Sequence, residues 1–191
     1  MKGLLNSELL LKFIEDKKEA ILKPLNRCFG SGVYYMNSED KNLMTILSNM
    51  TEEGKTPVMV QKYLTSAKYG DNRVLIIGET VLEECIQKLP ADHNFKFAVH
   101  NDRFFKDAKL TENEKIMAQT IASKLSKKGL YLIGLDVIEE KAIEINVTSP
   151  CYFIREINQH YGIHFEEKIM SCLEEMINKH FSKERSYVIN K

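Results

Sequence analysis

Asp136, Glu144 and Asn146 are the residues of this chain whose types and spacing are suited to metal chemistry. The stretch from Gly129 to Asp136 (GLYLIGLD), followed by that from Glu144 to Pro150 (EINVTSP), reads as a hairpin folding back around Glu140. This sets Asp136 opposite Glu144 and Gly134 opposite Asn146. Side chains alternate faces along a strand, so Asp136, Glu144 and Asn146 share one side. Ile133, Leu135 and Val137 share the other with Ile143, Ile145 and Val147, a consistent apolar face for a core. Like charges directly opposite repel, so the polar side calls for a cation. Two carboxylates and an amide oxygen suit a hard ion such as Mg²⁺, which keeps few protein ligands and leaves positions for water and phosphate. The alternative is an ordinary hairpin whose acids point into water. The turn Glu139-Glu140-Lys141 lacks the Asn-Gly or Asp-Gly signature of a tight hairpin.

Two cations stand where they can meet an anion. Lys23 ends an apolar strand just before a loop holding Gly30, Ser31 and Gly32, whose N–H groups can join an ammonium in binding phosphate. The plain alternative is an edge lysine lying along apolar surface, and no Gly-Lys-Ser/Thr follows the glycines. Arg73 opens a strand two residues after Asp71. A guanidinium there suits a carboxylate or developing oxyanion, or equally a surface ion pair. His160 and His164 are four apart, but Gly162 interrupts them, which favours a surface or capping role. No Ser/His/Asp or Cys/His arrangement can be argued.

The elements that must position these residues follow from periodicity. Asn6 or Ser7 caps a first helix carrying Leu9, Leu10, Phe13 and Ile14, which gives way near Lys18 to a strand over 20–24. A second strand is expected over 33–36. A helix starts at Ser38, with Leu43, Ile46, Leu47 and Met50 on one face, and ends at Gly54; a third strand covers 57–61. The segment 63–71 is a crossover, and strands over 73–77 and 81–89 flank a turn at Gly78 and Glu79. Residues 90–109 show no clear period. Thr111 and Glu114 form a capping box opening a helix that turns Ile116, Met117, Ile121 and Leu125 inward and stops at Gly129. Helices over about 152–161 and 165–181 close the chain. The pattern is α+β, in two lobes over about 1–62 and 63–191.

Composition narrows the class. The 191 residues carry 27 Lys+Arg and 27 Asp+Glu, so the chain lacks the overall basic footprint of a nucleic-acid binder. No apolar run is long enough to span a bilayer, and no secretory signal is read at the start. Cys28, Cys85, Cys151 and Cys172 are scattered without Cys-x-x-Cys spacing, and read as reduced thiols of a cytoplasmic protein.

Residues 21–25 (ILKPL), 60–64 (VQKYL), 70–75 (GDNRVL), the two hairpin stretches and 154–157 (IREI) together resemble prokaryotic glutathione synthetase, an ATP-grasp ligase, in order and spacing over nearly the whole chain. The resemblance implies a two-lobed ATP-grasp fold with antiparallel sheets, flanking helices and Mg-ATP between the lobes. It implies that Lys23 and the loop with Gly30, Ser31 and Gly32 meet the ATP phosphates. Gln61, Lys62, Tyr63 and Leu64 would meet adenine, and Asp71 would lie near the ribose. Arg73 would hold an acyl intermediate, while Asp136, Glu144 and Asn146 would ligate Mg²⁺ or Mn²⁺. The implied reaction phosphorylates the γ-glutamylcysteine carboxylate with ATP, after which glycine's amine attacks the acyl phosphate.

The departures are as specific. The resemblance begins inside the ATP-grasp part, without the family's N-terminal domain, so full ligase activity is not expected from this chain alone; a second chain supplying that domain, or partners in a homo-oligomer, could restore it. Arg27, Cys28 and Phe29 replace small residues of the phosphate loop. Lys96-Phe97-Ala98 and Asn101-Asp102-Arg103 stand in place of the family's acceptor contacts, and Lys88 stands where an arginine is usual. The expected function is therefore the Mg-ATP-binding portion of a glutathione-synthetase-like ligase acting on a small peptide or amino acid. The alternatives are a catalytically dead nucleotide-binding or assembly module, and a ligase with a different acceptor.

Overall fold

The architecture is given by a computed structural model, which describes residues 2–4, 6–27, 30–90 and 105–189. The chain divides into two compact units, Met1–Tyr69 with Pro90–His100, and Gly70–Leu89 with Asn101–Lys191. The segment 63–69, expected to open the second lobe, falls in the first unit.

The first unit is a four-stranded antiparallel sheet with two helices. Its strands are β1 (Lys2–Leu4), β2 (Glu19–Pro24), β3 (Tyr34–Asn37) and β4 (Val58–Lys62), in the order β1-β4-β2-β3. Helix α1 (Ser7–Lys17) starts where the Asn6 side chain accepts from the N–H groups of Glu8 and Leu9. It buries Leu10 and Ile14 against Ala20, Leu22, Val58 and Val60. Helix α2 (Leu43–Met50) adds Leu43 and Leu47 to the same core. Its expected start at Ser38 is not met. Asn37 and Asp40 accept from the N–H groups of Glu39 and Asn42, and hold that segment in turns. Strand β1 was not expected, since three residues are too few for a period to show.

The second unit has a six-stranded antiparallel sheet. Its strands are β5 (Asp71–Ile77), β6 (Thr80–Val81), β7 (Cys85–Lys88), β8 (Phe105–Ala108), β9 (Leu132–Ile138) and β10 (Lys141–Asn146). The order is β10-β9-β5-β7-β8, with β6 beside β5. The expected strand over 81–89 is thus two short ones. Helix α3 (Glu112–Ser126) sets Ala118 and Ala122, flanked by Met117, Ile121 and Leu125, on the face formed by Val74, Ile76, Ile133, Leu135 and Val137, while Ile116, expected inward, is 64% exposed. Helices α4 (Ile154–Tyr161) and α5 (Phe165–Ile189) cover the opposite face through Ile157, Phe165 and Ile169, against Leu75, Ile77 and Ile86. Strands β5 and β9 are therefore covered on both faces and paired on both edges. This explains why they read as nearly continuous apolar runs.

The β9–β10 hairpin turns through Glu139 and Glu140, both with positive φ (50° and 59°), the conformation of a tight two-residue turn built without glycine. Asp136 faces Glu144 and Gly134 faces Asn146, as read from the sequence, but a bulge lies between Ala142 and Glu144. The shared apolar face needs correction. Ile145 is 45% exposed and Val147 43%, because β10 is the sheet's edge and its apolar residues run past the helical cover.

Candidate active site

The site is built on one end of the second sheet. Arg73 pairs with Asp136 across β5 and β9, and Asp71 pairs with Lys88 across β5 and β7. Alternation puts all four on the face of Leu75 and Ile77. With Glu144 opposite Asp136, one row across three strands carries two acids and then a base: Glu144, Asp136, Arg73.

The four inner members are buried, with exposures of 1% for Asp71, 8% for Arg73, 5% for Lys88 and 3% for Asp136. Arg73 donates from Nε to Asp136 Oδ1 at 2.6 Å and from Nη2 to Oδ2 at 2.9 Å. Lys88 Nζ donates to Asp136 Oδ1 at 3.0 Å and lies 2.7 Å from Asp71 Oδ2. With both acids ionised, two acids and two bases make the quartet neutral, and buried charges are tolerated when paired in this way. The Phe153 ring closes over both cations, its centroid 4.9 Å from Arg73 Cζ and 5.3 Å from Lys88 Nζ.

The two acids respond oppositely. Burial alone would raise the Asp136 carboxyl, but Lys88 and Arg73 outweigh it and hold the group below the ordinary carboxylate range. Burial dominates at Asp71, pushing it up to about 7. Lys88 offsets only part of this, and Asp136 adds repulsion. Asp71 Oδ1 is buried without a hydrogen-bond partner among the described residues.

A carboxylate offers about four lone-pair sites. Arg73 and Lys88 occupy three on Asp136, and the remaining one belongs to Oδ2. The Asn146 Nδ2 approaches that oxygen at 3.5 Å, a length at the limit for a hydrogen bond. Turning the amide presents its oxygen instead, and Glu144 beside it is exposed. The donor set fits a hard divalent ion through Asp136 Oδ2, Glu144 and Asn146. Among the described residues no group of three or more His, Cys, Asp or Glu side chains is placed to hold a metal.

The other expected residues are placed as follows. Lys23 is half-buried on β2, in register with Met59, and Gln61 faces Ile21 on β4. Lys62 is exposed, and Tyr63 and Leu64 follow it half-buried. Gly30 and Gly32 have positive φ (67° and 75°), with exposed Ser31 between them. Asp71, expected near the ribose, is a buried acid facing the Lys88 ammonium. Cys28, Phe29, Lys96-Phe97-Ala98 and Asn101-Asp102-Arg103 lie outside the described residues. His160 lies 3.0 Å from Asp107 and His164 3.6 Å from Glu166, consistent with a surface role. A cavity of about 660 Å³ walled by Val81, Leu82, Leu110, Ile116 and Tyr161 contains none of the expected site residues.

Sequence reasoning missed Lys88 as a partner of both acids, and it missed the closing ring of Phe153. The antiparallel pairing of β5 with β7 was the signal for Lys88, because it sets a lysine opposite an aspartate. Phe153 carried no local signal.

Solved structures of similar fold define the class. D-cycloserine synthetase DcsG superposes with a TM-score of 0.60 at 14% identity, covering 85% of this chain and 60% of that one. D-alanine–D-alanine ligase from Bacillus anthracis superposes with a TM-score of 0.54 at 17% identity, covering 91% and 59%. The fold is ATP-grasp, an α+β architecture of antiparallel sheets and flanking helices. Residues 4–162 match the family model for the prokaryotic glutathione synthetase ATP-grasp domain, and the chain belongs to that family. The glutathione synthetase of Thermosynechococcus vestitus is 33% identical over 163 residues, which are 85% of this chain and 50% of the relative. That of Buchnera aphidicola is 33% identical over 174 residues, 91% and 53%. The chain thus spans about half the length of these relatives. No helix among the described residues is long and apolar enough to cross a membrane.

Proposed function

We propose that this chain is the Mg-ATP-handling portion of an ATP-dependent carboxylate–amine ligase of the glutathione synthetase type. The observation that carries the reading is the row Glu144, Asp136, Arg73, with Asn146 one step along the hairpin, inside a chain that belongs to this family. Asp136 Oδ2, Glu144 and Asn146 would hold Mg²⁺ or Mn²⁺. A bound divalent ion there neutralises phosphate charge and aligns the transferring group.

The chain's own residues do the rest. Arg73 fixes the Asp136 carboxylate by both oxygens, so that a ligand oxygen is already oriented when nucleotide arrives. With Nε and Nη2 engaged and one Nη1 N–H on the Pro150 carbonyl at 3.4 Å, the second Nη1 N–H is the donor assigned to an anionic acyl group. Lys23 and the N–H groups around Gly30, Ser31 and Gly32 are assigned to the ATP phosphates. Gln61, Lys62, Tyr63 and Leu64 are assigned to adenine. The acyl donor is a small peptide such as γ-glutamylcysteine, and the acceptor an amine such as glycine. Lys88 is held on two carboxylates and is not offered to an acceptor, which favours a different acceptor, or nucleotide binding without turnover, as the second reading.

Calorimetric titration with ATP, with and without Mg²⁺, tests nucleotide handling. Mg²⁺-dependent binding is expected, and its absence would sink the proposal. ADP release with γ-glutamylcysteine and glycine, then across a panel of amino acids and peptides, separates ligation from binding alone.

A further inference from the structure

Gly134 occupies the middle of β9, paired on one side with Asn146 and on the other with Leu75. A glycine there weakens a strand, because it contributes no side chain to the packing and is more costly to order. Its backbone does not call for one. Gly134 is absent from the residues with positive φ, so its conformation is open to any amino acid. What remains is space. A Cβ built at Gly134 would lie 3.0 Å from Arg73 Nη1, 3.1 Å from the Pro150 carbonyl oxygen and 3.2 Å from Pro150 Cα. The Arg73 guanidinium crosses this gap, with Nη1 3.4 Å from the Pro150 oxygen while Nε and Nη2 grip Asp136. Phe153 stands 4.9 Å from Cζ and limits retreat.

We propose that Gly134 is a positioning residue: the missing side chain lets Arg73 lie flat across β9 and hold Asp136 in the orientation that ligates the metal. The metal half of this statement rests on the reading of Asp136 given above. The placement of Arg73 does not. Arginine needs the clearance because its planar fork is wide. Lysine, with a compact head group, would reach Asp136 through one contact and need less room.

The test uses the full chain carrying Gly134→Ala, Arg73→Lys and both together, with two readouts. The first is the ¹⁵N-edited resonance of the Arg73 Nε–H, assigned by its loss in Arg73→Lys. A buried two-pronged pair is expected to protect this proton from exchange in the parent chain, and Gly134→Ala is expected to abolish the protection. The second is Mn²⁺ affinity measured by electron paramagnetic resonance. Gly134→Ala is expected to weaken it by about tenfold, as loss of an orienting partner does, without a fall in far-ultraviolet circular dichroism. Adding Arg73→Lys to Gly134→Ala should cost little more, because both changes break the same contact.

An unchanged Nε–H signal in Gly134→Ala overturns the proposal, and so do losses of Mn²⁺ affinity that simply multiply. If Gly134→Ala does not fold but the double variant does, the clash with Arg73 is upheld. If neither folds, Pro150 is what demands the glycine and the proposal fails. A parent chain that protects the Nε–H but binds no Mn²⁺ would remove the metal reading and leave the Arg73 placement standing.

Discussion

Arg73 and Asp136 stand directly opposite one another on neighbouring central strands, joined by two hydrogen bonds of 2.6 and 2.9 Å across 63 residues of sequence. Both are buried, and Lys88 shares the same carboxylate. This pairing is at once a structural clasp of the second unit and the support of a proposed metal ligand.

Arg73→Met should therefore cost more stability than an ordinary substitution. It leaves Asp136 with one cation in place of two inside the protein, and breaking a buried pair in this way costs about 3–5 kcal/mol. Arg73→Lys keeps the charge, loses the two-pronged contact, and should fall between the parent and Arg73→Met. Chemical denaturation of the three proteins checks the order. Equal midpoints would contradict it.

The two acids should give stability opposite dependences on pH. Asp71 is raised to about 7, so its contribution is complete below the unfolded value of 3.8 and is lost as pH rises through about 7. Asp136 is lowered, so its contribution is present above 3.8 and is lost as pH falls through its folded value. Asp71→Asn should flatten the decline in melting temperature between pH 4 and pH 7. A profile parallel to that of the parent would count against the buried setting of Asp71.

Glu144→Gln separates metal handling from folding. Glu144 is exposed on an edge strand, so the change should move stability by no more than about 0.5 kcal/mol. Mn²⁺ affinity should fall by at least about tenfold, and any ADP formation should fall with it. Unaltered Mn²⁺ binding would take Glu144 out of the ligand set.

Thr111→Ala addresses the scaffold. The Thr111 hydroxyl accepts from the Glu114 N–H, and Glu114 accepts in return from the Thr111 N–H. Thr111 Oγ1 also donates to Glu140 at the hairpin turn. Loss of the cap should cost about 1 kcal/mol in denaturant unfolding. A negligible change would mean that the turn and helix are held by packing alone.

Much of this was legible because the informative signals are local. The capping box at Thr111 and Glu114 and the apolar runs of β5 and β9 were read directly. So was the opposition of Asp136 to Glu144, which survived a bulge the sequence did not announce. The one-residue offset is confined to the turn side, at Lys141 and Ala142, so Glu144 and Asn146 still oppose Asp136 and Gly134. The exposure of Ile145 and Val147 was not legible, since strand alternation says which face a residue takes but not how far a helix extends over it. Nor was the burial of Asp71. An acid two residues from an arginine reads as surface until the pairing of β5 with β7 sets Lys88 beside it.

The unequal settings of β9 and β10 have a mechanical consequence for cation capture. Asp136 is anchored in a strand clamped between two neighbours and sheathed above and below, while Glu144 rides on a rim strand hinged at a glycine-free turn. The proposed metal grip would have one rigid jaw and one compliant jaw. An ion of slightly different radius would be accommodated by movement of the outer carboxylate alone, so exchanging Mg²⁺ for Mn²⁺ should leave the inner ion pairs undisturbed.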